Sequence, residues 1–378
     1  MRILSSLLLC FFSMLVWAQE TTVSYPPLTD RAEVTVLTVG TGSELYTLFG
    51  HTALRVYDPL SRIDRVYNYG LFDFRTPNFY SKFIKGELLY FGGYEDYREF
   101  VLGYAYEDRP VYEQHILLSD EQKQALWQLL NQSLEPDQKF YTYKFIRQNC
   151  TTKVVDLLNK VLKEPIAVAI YPDDATYRSV LNEPLKGHFF EKLGINLLFS
   201  SQLDDKPTTL FLPDKLMQGL NATAKNGMPL VDKTAAVYER QETASKAWWN
   251  SYAFFCGIVL LLGALMRYSW MRVGYFIGMG LLGCLLGFVS LYSSHIELYL
   301  NDTPLLCNPL FLLIPALAYQ KRWGRFPLII FVLCALSLLL YVLINAFSEK
   351  LIITLPLVLL GSWTLLLQLK QQKSGGKL

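Results

Sequence analysis

The chain has 378 residues, 52% of them hydrophobic, and its 35 basic residues are nearly matched by 33 acidic ones, leaving a net charge of +2. Such a balance provides no broad basic surface, which argues against a nucleic-acid partner. The hydrophobic residues are unevenly spread: a mixed front part precedes a strongly apolar back part.

In chain order, residues 1–18 place Arg2 ahead of an apolar run that ends in Val16-Trp17-Ala18, the pattern of a cleaved signal peptide. Cys10 follows Leu9, which does not fit a lipoprotein cleavage site. An exported chain meets an oxidising compartment. Residues 19–225 are long enough for one sizeable core. Residues 34–39 alternate β-branched side chains and predict a strand, followed by a flexible turn over 38–42. Residues 52–57 and 64–69 predict two more strands, broken by Asp58-Pro59, so that 50–70 forms a hairpin. An aromatic stretch follows, with 14 rings among residues 67–106. Ser119-Asp120-Glu121 opens an amphipathic helix to about 133. A second helix begins at Cys150, where Val154, Val155, Leu157, Leu158, Val161 and Leu162 recur at helical spacing. The fold class is therefore α+β. Residues 226–246 predict a polar, partly helical juxtamembrane connector, which leads to Trp248-Trp249 as interfacial anchors.

The back part, 247–378, predicts an all-α transmembrane domain of five helices. Its apolar runs, 247–266, 273–293, 303–319, 326–347 and 351–369, each approach the ~20 residues that cross a bilayer core. The third is the shortest and contains Pro309 and Pro315. Arg267, Arg272, Lys321, Arg322, Arg325, Lys370, Lys373 and Lys377 fall in alternate loops and the tail. The positive-inside rule then puts the C-terminus in the cytoplasm and the front domain outside. A helical bundle of this kind belongs in a bacterial inner membrane, because outer-membrane spans are normally barrels.

Cys150 is the one cysteine of six outside the leader and the apolar runs, in Gln148-Asn149-Cys150-Thr151-Thr152. A lone thiol in an oxidising compartment fits nucleophilic chemistry; it also fits a small buried residue or a bridge to Cys307. At a helix start the unsatisfied N–H groups and the dipole favour thiolate. Gln148 and Asn149 offer amide donors for an oxyanion, or cap the loop. A thiolate catalyst needs an imidazole, and His51 opens a strand after Phe49-Gly50. Asn68, on the paired strand, is placed to hold that ring. His115 and His188 read as structural, and His295 and Asn308 fall near the third apolar run. No His, Cys and carboxylate spacing suggests a metal site, and no cofactor is implied.

Three segments carry a resemblance: Phe49-Gly50-His51-Thr52-Ala53-Leu54-Arg55-Val56, Val66-Tyr67-Asn68-Tyr69-Gly70-Leu71-Phe72-Asp73-Phe74, and Gln148-Asn149-Cys150-Thr151-Thr152. Together with the five-run tail they resemble the bacterial Lnb family. The resemblance implies a circularly permuted papain-like (NlpC/P60-like) periplasmic domain, with histidine ahead of cysteine. It implies Cys150 as nucleophile, His51 as general base and acid, and Asn68 as orienting residue. It further implies N-acylation of lipoproteins: a phospholipid donates an acyl group through a thioester on Cys150 to the α-amine of a diacylglyceryl-cysteine. The rings of 67–106 would then line an acyl groove or lie in the headgroup layer; an ordinary aromatic core accounts for them as well. A membrane-tethered cysteine hydrolase, acting on peptidoglycan peptides or lipid esters, and a non-enzymatic envelope assembly or receptor protein are the competing readings.

Overall fold

The computed structural model describes residues 25–225, 227–241, 247–318 and 325–373. The expected signal peptide, Lys321, Arg322 and Lys377 lie outside the described residues. The front part is built on a seven-stranded sheet. Its strands are β1 (Glu33–Val39), β2 (His51–Asp58), β3 (Ile63–Leu71), β4 (Leu89–Asp96), β5 (Val111–Ile116), β6 (Phe140–Thr142) and, after a short β7–β8 pair (Ala224–Lys225, Met228–Pro229), β9 (Val231–Tyr238). The spatial order is β6-β4-β3-β2-β1-β5-β9, with antiparallel neighbours. The expected hairpin is present, with Ala53 opposite Asn68.

Alternation along the strands sends side chains to two layers. Val34, Val36, Leu54, Val56, Tyr67 and Tyr69 face a core with Leu126, Trp127 and Leu130 of the helix Asp120–Gln132 and Val154, Leu158 and Val161 of the helix Cys150–Leu162. Leu37, Val39, Ala53 and Val66 pack on the other side against Phe100 of the helix Tyr97–Tyr106. The helix at 120 starts where Ser119 and Gln122 form a capping box, each side chain bonding the other's backbone. Within the expected partly helical connector at 226–246, residues 231–238 are instead the edge strand β9, paired with β5, and residues 226 and 242–246 lie outside the described residues. The polar alternation of β9, read as a helix or loop, is that of a strand with one face to solvent.

Among the described residues, three of the apolar runs form helices long and apolar enough to cross a membrane: Ser269–Tyr292, Arg325–Ile344 and Glu349–Gln372. A fourth crossing arises if the pair Ile296–Leu306 and Pro309–Leu317, bent by 41°, counts as one. The first run forms a shorter apolar helix, Tyr252–Leu265. Pro309 supplies no N–H, and Asn308 caps a new 3-10 turn by accepting from the Leu310 N–H, so the chain breaks there.

One end of this helical region is bound to the sheet domain. Phe189 packs on Tyr252, Asn301 Nδ2 donates to the Leu197 and Leu198 carbonyls at 2.8 Å, and Ser348 donates to Asp204 at 2.7 Å. Arg178, 1% exposed, ties Asp204, Asn196 and the Ser200 carbonyl beneath this contact. At the opposite end Arg272 bonds Gln368 and the Met266 carbonyl.

Candidate active site

Cys150 is the first residue of its helix, and Asn149 is the cap: Asn149 Oδ1 accepts from the Thr152 N–H at 3.0 Å, and the Thr152 hydroxyl accepts from the Asn149 N–H at 2.8 Å. The Asn149 amide nitrogen donates to the carbonyls of Phe145 and Phe211, both at 2.9 Å. Its side chain is thus fully engaged in capping and loop closure, which corrects its candidacy as an oxyanion donor. Gln148 is held by paired backbone bonds to Lys144. The Thr52 backbone, on β2, bonds the Cys150 sulfur, and the first-turn N–H groups of the helix have no partner within the helix.

His51 reaches the cysteine from a different layer. Gly50 takes φ +77°, and a side chain there would strike the Val39 carbonyl at 2.5 Å, so only glycine lets the chain turn into β2 at this point. Alternation puts His51 on the face of the Tyr97–Tyr106 helix, where its ring stacks on Tyr104 at 6.1 Å. Next along the strand, Thr52 meets Thr151 of the cysteine helix, hydroxyl to hydroxyl, at 3.1 Å. The two layers join at the end of β3. The register of β3 with β4 shifts between Asn68 and Leu71, and Gly70 adopts φ +87°. A Cβ on Gly70 would stand 3.6 Å from the Cys150 Cβ, so this end of β3 lies directly against the nucleophile.

His51 Nε2 lies 2.9 Å from Asn68 Oδ1, while Asn68 Nδ2 donates to Glu95 Oε1 at 2.7 Å. Glu95, an acceptor, fixes the orientation of the Asn68 amide, so His51 Nε2 carries the proton and Nδ1 is left for the thiol. Burial raises the Cys150 thiol pKa; the His51 charge and hydrogen bond, the Thr52 backbone and the Thr151 hydroxyl outweigh it, and the thiol sits below its ordinary value. Burial lowers His51, and the Cys150 charge with the Cys150 and Asn68 hydrogen bonds outweighs that, so the imidazole sits above its ordinary value. The pair therefore favours thiolate and imidazolium.

The structure brings Cys150, His51 and Asn68 together. Cys150 and Cys307 are both free thiols, the first half-buried and the second buried among the apolar helices. His115 stands on β5, 3.8 Å from Asp232, and His188 precedes the helix Phe189–Leu198, 3.9 Å from Glu191. His295 is buried, its Nε2 3.1 Å from the Phe83 carbonyl, and desolvation holds it down at about 4. Glu95 escaped sequence reasoning because a carboxylate in Tyr94-Glu95-Asp96 has no motif around it; its only signal is its place opposite Val66 in the sheet, facing Asn68's layer. Tyr104, Tyr141 and Tyr143 also surround the site, each raised by burial and by the charge at Cys150. Among the described residues no group of three or more His, Cys, Asp or Glu is placed to hold a metal ion.

Residues 27–183 match the family described as the Lnb N-terminal periplasmic domain. This part of the chain is an Lnb domain. The match takes in β1 to β6 and the whole Cys150 helix, and it stops ahead of the apolar helices and of β9. No curated protein matches the chain, and no solved structure does. The Lnb domain and the apolar helices together mark a membrane protein with a periplasmic N-terminal domain and a role in lipoprotein biogenesis.

Proposed function

We propose that this Lnb protein is a thiol-dependent N-acyltransferase of the inner membrane, acting on the terminal diacylglyceryl-cysteine of lipoproteins with a phospholipid as acyl donor. The observation that carries the reading is the Cys150–His51–Asn68–Glu95 relay at a helix start. The Cys150 thiolate attacks an ester carbonyl carbon of the phospholipid. The C–O bond breaks, and the His51 imidazolium gives its proton to the departing lysophospholipid oxygen. The lipoprotein α-amine then attacks the thioester; His51 takes the amine proton and the sulfur leaves as thiolate. Asn68 keeps the ring aligned through both halves, and backbone N–H groups of the first helical turn face the developing oxyanion. No cofactor enters.

The order of histidine strand before cysteine helix supports a circularly permuted papain-like arrangement. The membrane reading places the Lnb domain outside and the C-terminus in the cytoplasm. It rests on the sheet domain holding the 301 and 348 turns, while Arg267, Arg272 and Lys370 collect towards the other end of the helices.

The test is Cys150→Ala in a strain lacking any other such enzyme, with mass spectrometry of a lipoprotein N-terminal peptide. The unaltered chain is expected to give the N-acylated peptide, and the variant the free α-amine. N-acylation that persists in the variant overturns the proposal. Altered peptidoglycan peptides alongside unchanged lipoproteins would point to hydrolysis instead.

A further inference from the structure

The aromatic segment after β3 has a role that the relay does not absorb. The short helix Phe79–Lys85 buries none of its residues, and Phe74, Tyr80 and Ile84 are exposed by 64%, 73% and 42%. Exposed apolar clusters of this kind mark an interaction surface. The C-terminal end of the segment is stapled to the outer end of the Ser269–Tyr292 helix: the Ser294 N–H donates to the Lys85 carbonyl at 2.9 Å, and Lys144 Nζ bridges the Gly86 and Ser294 carbonyls at 3.3 and 3.1 Å. That helix exposes Leu291 and Phe288 by 78% and 59%, so its lipid-facing side continues onto the segment. Lys82 lies among the rings, as suits anionic headgroups, while Arg75 pairs with Asp73 at 2.8 Å and Lys85 with Glu87 at 2.6 Å.

From the exposed edge a row of rings runs inward. Phe79 is 5.8 Å from Phe72, Phe72 is 5.3 Å from Tyr90, and Tyr90 stacks on Tyr143 at 4.4 Å. Tyr141, opposite Tyr90 in the sheet, brings its hydroxyl to 4.0 Å from the point above Gly70 that lies 3.6 Å from the Cys150 Cβ, so the rings end beside the nucleophile. An interfacial apolar edge joined by a continuous ring surface to a nucleophile is suited to a long acyl chain, whose methylenes gain contact at every step.

We infer that residues 72–86 sit in the headgroup layer and form the entrance through which a phospholipid acyl chain from the adjoining leaflet reaches Cys150. This deepens the acyl-transfer reading and rests on it for the fate of the chain. Two measurements test it, both on the full chain in nanodiscs of phosphatidylethanolamine and phosphatidylglycerol. In the first, a photo-crosslinking benzoylphenylalanine replaces Tyr80 or, as control, Leu60, which is 67% exposed in the turn at the opposite end of the β2–β3 hairpin. Lipid adducts are expected to be at least ~10-fold more abundant at 80; equal yields overturn the inference. In the second, Tyr80→Ser combined with Ile84→Ser is expected to slow phospholipid acylation of Cys150 by ~10-fold or more. Acetylation of Cys150 by the water-soluble p-nitrophenyl acetate should stay within ~2-fold. Unchanged phospholipid acylation, or an equal loss with both donors, overturns it. If the unaltered protein takes no acyl group from phospholipid, the transferase reading fails, and the adduct ratio alone decides whether the segment meets lipid.

Discussion

At the scale of single residues, the site is a matter of charge balance in a half-buried place. Left alone, burial would hold the Cys150 proton on and strip the His51 proton off. Their mutual attraction reverses both, and it needs the ring held by Asn68 and the amide held by Glu95. A thiol with a lowered pKa reaches full thiolate at a lower pH than the ordinary ~8.5. Iodoacetamide should therefore alkylate Cys150 faster at pH 7 than it does an ordinary thiol, the rate falling as pH drops through the lowered pKa. In His51→Ala only burial and the lesser donors remain, the titration moves upward, and the rate at pH 7 should fall by ~10-fold or more. Superimposable pH–rate curves for the two proteins would remove His51 from the activation of the thiol.

At the scale of elements, position depends on the cap of one helix and the end of one strand. Asn149 closes the first turn of the Cys150 helix and ties it to the 145 and 211 carbonyls at once. Asn149→Ala should cost about 1 kcal/mol for the cap, with more from two stranded carbonyls, for a total of about 2–4 kcal/mol. Asn149→Asp keeps the cap acceptor and loses both donors, so it should recover only part of that cost. Thermal unfolding in detergent reads both, and an aspartate variant as stable as the parent would show that the two carbonyl bonds matter little. Helix spacing made the start of this helix legible from residues 150 to 162, and alternation did the same for the hairpin at 50–70. Glu95 was not legible, because its role depends on β4 lying beside β3, a pairing set by the tertiary fold.

At the scale of the whole molecule, the sheet domain is joined to the apolar helices by buried polar contacts rather than by a flexible tether. Lys350 is 0% exposed, and its Nζ donates to Asp302 at 2.7 Å and to the Phe199 carbonyl at 3.2 Å. Glu297, 2% exposed, accepts from the Ile146 N–H at 3.3 Å, four residues before the nucleophile. The loop that leaves the Ser269–Tyr292 helix is thus part of the floor under the active site. Removing one partner of a buried ion pair strands the other, so Lys350→Met should cost about 3–5 kcal/mol. Lys350→Met with Asp302→Leu should regain at least about half of this. Unfolding in SDS–detergent mixtures measures it, and a single variant that costs under about 1 kcal/mol would mean the pair does not hold the joint.

The primary structure alone determined what periodicity can encode. Strand alternation, the amphipathic helices at 120 and 150 and the apolar runs are all local, because side chains two, three or four residues apart share a face whatever else the chain does. Only the tertiary structure decided what lies far apart in sequence. It made residues 231–238 an edge strand instead of a connector, since a polar strand and a polar coil differ only by the partner that β5 provides. It broke the third apolar run at Pro309, engaged Asn149 in capping, and recruited Glu95 to the relay. Hydrogen-bond partners and packing faces across layers are set by long-range contact, and no local spacing records them.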